Sequence, residues 1–159
     1  MKKITLLIAL LLLVQLSKAQ DTCAGALPIT AAGTFVVGVM NGAAPTLFCA
    51  TNGAIPVANI PAGEWYLYTP TQDYTVTITT DIAANTPRKD TRFHVYTGTC
   101  ATLTCFAGDD DSGSNYSSVA TFNVTAGTSY TIIFDNRWLN AAANTGFSFQ
   151  LTESAKFVL

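Results

Sequence analysis

Charge and histidine are both scarce in this chain, and each shortage removes a class of chemistry. Only 11% of its 159 residues are charged, and there is one histidine, His94. One imidazole cannot make a multi-histidine metal centre, and it leaves a single candidate for a general base working near neutral pH. Eight Lys and Arg stand against ten Asp and Glu, and three of the eight, Lys2, Lys3 and Lys18, crowd the N-terminus. The remainder of the chain is acidic and carries no basic stripe to neutralise phosphates, so nucleic acid is not an expected partner. The four cysteines form no CxxC pair and their spacing does not suit zinc. A heptad, an internal repeat and a low-complexity tail are lacking too. So is any apolar run of the roughly 18 residues that a membrane span requires.

The one apolar run, 4–16, follows Lys2-Lys3 and precedes Ser17-Lys18-Ala19. That is the basic, apolar and small-residue order of a secretory signal. The expected division is a signal peptide at 1–19 and a single domain at 20–159, secreted to the extracellular space or cell surface. Gln20, Asp21 and Thr22 stand where a lipoprotein would carry small residues before Cys23, so that cysteine is free to pair. Outside the cytoplasm thiols are oxidised. Four cysteines allow three pairings. The local pair Cys100–Cys105 closes a short turn and leaves Cys23–Cys49 as its complement, contributing about 2 and about 3 kcal/mol by loop-closure entropy.

Strand-length alternation runs through the rest. Leu27 to Thr30 precedes Gly33, and Phe35, Val37 and Val39 alternate before Asn41-Gly42, a tight-turn pair. EWYLYT, starting at Glu64, is apolar on both faces and reads as a covered strand. Tyr74, Val76 and Ile78 alternate with threonines. Thr91, Phe93 and Val95 alternate with Arg92, His94 and Tyr96, which puts the first set on a core and the second toward water. Phe122 and Val124, Tyr130 to Asp135, and Phe147 to Leu151 follow the same period. Pro45, Pro56 and Pro61 mark the segment between Gly42 and Gly63 as loop. The expectation is an all-β antiparallel jelly-roll sandwich of about eight strands with two disulfides.

The succession WYLYTP at Trp65, DTRFHVYTGTC at Asp90, CFAGDDDSG at Cys105, SSVATFNVTAGTSYTI at Ser117 and GFSFQLT at Gly146 resembles the bacterial pre-peptidase C-terminal family of jelly-roll domains. The resemblance covers most of the mature chain. It implies an extracellular, non-catalytic accessory domain, part of a larger secreted protein beside a peptidase, adhesion modules or a type IX sorting domain. No such module follows here, so the expectation is a free-standing module or the front of a longer frame.

Three features carry candidate chemistry. Asp109, Asp110, Asp111 and Asn115 place oxygen ligands on one loop, as calcium requires. The resemblance adds calcium binding in some members, with Asp90 a further carboxylate from the neighbouring strand. The competing reading is a solvated turn whose Asp side chains cap their own backbone. Trp138 beside Arg137, with Tyr116, offers exposed aromatics for a glycan or protein ligand, against the alternative of an indole folded over the end of the sandwich. GDDDSG is faintly similar to the serine-protease nucleophile motif with Ser112, but His94 lies on an outward strand face with no orienting carboxylate between them, which argues against catalysis. Function is therefore expected to be binding or support of a neighbouring domain, with calcium-dependent adhesion or carbohydrate binding as the alternative and a small serine hydrolase behind both.

Overall fold

The computed structural model describes residues 20–50, 62–139 and 146–156. The predicted leader lies outside them. Nine strands lie among the described residues: β1 (Leu27–Ile29), β2 (Gly33–Val37), β3 (Gly63–Tyr68), β4 (Tyr74–Thr79), β5 (Arg92–Thr97), β6 (Thr104–Asp109), β7 (Val119–Val124), β8 (Tyr130–Asp135) and β9 (Phe147–Ala155). They form a five-stranded sheet, β1-β3-β8-β5-β6, and a four-stranded sheet, β2-β9-β4-β7. The antiparallel pairs β2–β9, β3–β8, β4–β7 and β5–β6 nest as a jelly roll does. β1 adds a parallel edge beside β3, the one departure from an antiparallel pattern among the described strands. No described helix is long and apolar enough to cross a membrane.

Period-two alternation builds the core. Tyr66, Phe93, Val95, Ile132 and Phe134 from one sheet meet Val76, Ile78, Phe147, Phe149 and Leu151 from the other. Phe134 sits at the centre, its ring centroid 4.7 Å from Phe149 and 5.4 Å from both Phe93 and Phe147. On the far face of β4, Thr77 and Thr121 share a hydrogen bond of 2.8 Å across the strand pair, as residues turned to water do.

Three expectations are corrected. β6 begins inside the segment read as a disulfide-capped turn, which raises the strand count from about eight to nine. A register shift opposite Val95 and Tyr96 makes Phe106 an extra residue on β6. The bulge lets Phe106 reach Phe122 and Tyr130 while Cys105 stays opposite Tyr96.

The disulfides pair as Cys23–Cys100 and Cys49–Cys105, not Cys23–Cys49 and Cys100–Cys105. Cys100 lies in the β5–β6 turn and Cys105 on the strand that leaves it, so each meets a different incoming segment instead of the other. Cys23 comes from a 3-10 turn (Cys23–Gly25), and Cys49 from the loop that covers the sheet. Two such bonds fit an oxidising, extracellular setting.

Arg92, His94 and Tyr96 do not face water: all are 1% exposed or less. Residues 43–50 and the two cystines cover the outer face of the first sheet as a partial third layer. His94 Nδ1 accepts from the Cys49 and Ala50 amides at 3.1 and 3.0 Å, so the proton sits on Nε2, which donates to Asp135 Oδ2 at 2.9 Å. Asp135 also takes a forked pair from Arg92 Nε and its terminal nitrogen at 3.0 and 2.8 Å. Phe48 lies edge-on to His94, with the Arg92 guanidinium over its ring. Trp65 Nε1 donates to the Ala43 carbonyl and the Tyr96 hydroxyl to that of Leu47.

His94→Phe would keep the bulk but strand two buried amides and deprive Asp135 of a donor. We expect a loss of about 2 kcal/mol or more in urea unfolding with both disulfides intact. A midpoint equal to that of the unmodified protein would show that the third layer is held by other means.

Candidate metal centre

The acidic loop joins β6 to β7 at one end of the sandwich, and its shape follows from the side chains within it. Asp109 accepts from the Ser112 hydroxyl at 2.5 Å, the Ser112 amide at 3.0 Å and the Val119 amide at 2.8 Å. Asp81, from the β4–β5 connection, accepts from the Ser114 amide and hydroxyl, each at 2.8 Å, which holds its carboxyl below the usual range. Beneath the loop, Thr80, Thr91 and Ser118 form a buried hydroxyl cluster. Thr80 and Thr91 lie 2.6 Å apart, and the Ser118 hydroxyl is 3.0 Å from the Asp110 carbonyl. Gly113 is required where it stands: a Cβ there would lie 2.6 Å from the Ser117 carbonyl oxygen.

This scaffold brings Asp90, Asp110 and Asp111 together, with one carboxylate oxygen of each within 4.8 Å of the others. Asp110 is 3% exposed. One of its oxygens accepts from Trp138 Nε1 at 3.0 Å, whereas Oδ1, like Oδ1 of Asp90, is buried without a hydrogen-bond partner. Burial, and then the charge of Asp111, pushes the Asp90 carboxyl up to about 6. Burial pushes Asp110 up to about 6 as well, against the lowering effect of the indole hydrogen bond.

The residues singled out from the sequence thus divide. Asp90, Asp110 and Asp111 form the cluster, while Asp109 caps its own loop, as in the alternative reading. Asn115 and Tyr116 carry positive φ values of 50° and 63° on a 3-10 turn (Ser114–Tyr116). Tyr116 and Trp138 then flank Asp90 and Asp111 in a cleft of about 260 Å³. The Trp138 indole is held against this end of the sandwich by Asp110, with part of its surface exposed. The Arg137 guanidinium stacks 4.9 Å from its ring centroid. Ser112 and His94 are not assembled into a pair, because the hydroxyl is bonded to Asp109 and both imidazole nitrogens are committed within the third layer. His94 does have a carboxylate partner, Asp135, but it lies outside the motif from which a triad was considered.

The sequence reading missed Asp81, Thr80, Thr91 and Ser118. Nothing in strand alternation marks a hydroxyl as a buried support, and Asp81 reaches the loop from a distant connection.

These features define a class, a jelly-roll β-sandwich with a paired aromatic and acidic cleft at one end. No protein-family profile and no curated protein matches the chain. Among solved structures it is similar to the pre-peptidase C-terminal domain of a collagenase from Bacillus anthracis, at 12% identity and a TM-score of 0.46 over 81% of this chain and 94% of that one. Likeness at this level says nothing of ligand or role.

With divalent ions chelated, the raised carboxyls of Asp90 and Asp110 predict a pH signature. Both favour the protonated folded state, so their contribution is full below about pH 4 and is lost as pH rises through about 6. Thermal unfolding in chelator should show a fall in Tm between pH 4 and 7 that is smaller in Asp110→Asn. Equal slopes would show that Asp110 is not the group responsible.

Proposed function

We propose that the chain is an exported, non-catalytic accessory module whose cluster of Asp90, Asp110 and Asp111 holds calcium. One observation carries this reading: three carboxylates converge at a site where Asp110 is buried and oxygens of Asp90 and Asp110 lack partners. Like charges held this close repel unless a positive group shares the site. A hard cation with oxygen ligands supplies that charge and occupies the unpartnered oxygens. Calcium suits the site better than magnesium because it accepts irregular carboxylate sets, whereas magnesium demands near-octahedral geometry and keeps its waters. Calcium would also draw together the segment that leads into β5, through Asp90, and the loop after β6. The commitment of His94 and of the Ser112 hydroxyl to other partners supports a role without turnover.

Calcium at a hundredfold excess over its Kd should stabilise the oxidised mature protein by about 2.7 kcal/mol, raising Tm by several degrees over the value in chelator. Asp110→Asn keeps an acceptor for Trp138 and should abolish that rise. An unchanged Tm in the unmodified protein would remove the metal from the account. A serine-reactive phosphonate should leave Ser112 unlabelled, and labelling lost in Ser112→Ala would refute the non-catalytic reading.

A further inference from the structure

We propose that the cleft beside this cluster is a calcium-bridged receptor for a neutral glycan. Two adjacent hydroxyls of one sugar ring complete the cation's coordination while the ring rests against Trp138 and Tyr116. The inference depends on calcium occupying the cluster.

Ligand counting is the first support. Calcium takes six to eight oxygens, and three carboxylates supply between three and six, with an oxygen of Asp110 already shared with the Trp138 indole. Positions are therefore left for oxygens from outside the chain. They face the cleft, because Asp110 is the buried member while Asp90 and Asp111 line the opening.

Preorganised aromatic walls are the second. Trp138 is 41% exposed and Tyr116 is 64% exposed. Trp138 is nevertheless held at its edge by Asp110 and stacked with Arg137. Tyr116 is set by consecutive left-handed residues, and its carbonyl accepts from the Thr91 amide at 3.1 Å. An aromatic ring already fixed in place, as the Trp138 indole is, loses little entropy when a ligand settles on it, and the set backbone of Tyr116 holds the second ring at the same cleft.

Size and charge then choose the ligand. A cleft of about 260 Å³ falls just below the range that takes drug-sized molecules, so it receives one ring of a longer chain. With calcium bound, the three carboxylates and the Arg137 guanidinium stacked on Trp138 come to about zero, so the site offers an acidic sugar no surplus positive charge. A protonated amine would instead compete with calcium for the same oxygens, so its binding would have the opposite calcium dependence.

The test is retention of the mature protein on immobilised mannan, galactan, xylan and β-glucan, in calcium and in chelator, beside a Tm measurement on each variant. At least tenfold calcium-dependent retention on one of these polymers is expected, competed by the matching methyl glycoside. Tyr116→Gly removes a wall, tolerates the positive φ and touches no carboxylate. It should cut retention at least tenfold and leave the calcium-induced rise in Tm intact. A rise in Tm with no retention on any polymer overturns this inference and spares the metal site, whereas no rise in Tm removes both. Retention equal in chelator, or retention on polylysine that calcium blocks, also overturns it.

Discussion

One carboxylate, Asp135 at the end of β8, joins the parts of this molecule that matter most. It is buried, it accepts from Arg92 and His94 on the neighbouring strand, and its Oδ1 accepts from the Arg137 amide at 2.9 Å. A buried carboxylate without partners would be strongly destabilising. Asp135 is satisfied on all sides, and each partner extends its reach. Through His94 it fixes the two amides that bring residues 43–50 down on the sheet. Through Arg137 it sets the exit of β8, from which Trp138 reaches Asp110. The third layer and the cleft thus share one anchor.

The candidate centre shows the opposite balance. Asp90 and Asp110 are buried enough to be pushed toward protonation, and the hydroxyl cluster of Thr80, Thr91 and Ser118 supports the backbone beneath them without neutralising any charge. Asp109 and Asp81 complete the frame by capping the loop from inside and from outside. The loop is thus held by side-chain bonds on both sides, while Oδ1 of Asp90 and Oδ1 of Asp110 stay buried without a hydrogen-bond partner.

Much of this was legible in advance. Eight of the nine described strands were located, most of them by alternation, because a two-layer sandwich imposes a period of two on strands with one face on its core; β3 was read instead from an apolar run covered on both faces. The Asp-rich loop and the exposed aromatics were visible as composition. β6 was not, because a bulge at Phe106 breaks its period and a glycine interrupts it. His94 was placed on the wrong side of the water line because alternation distinguishes two faces but does not say what covers the second.

The sequence by itself determined the class of fold, since hydrophobic periodicity and turn residues are local properties that act through neighbours along the chain. It also determined that several carboxylates crowd one loop. Only the tertiary structure decided which cysteines meet, that Asp90 joins Asp110 and Asp111 while Asp109 turns away, and that Asp81 and Trp138 arrive from remote connections. Those outcomes depend on which segments pack against one another, and residues distant in sequence carry no local mark of the neighbour they will find.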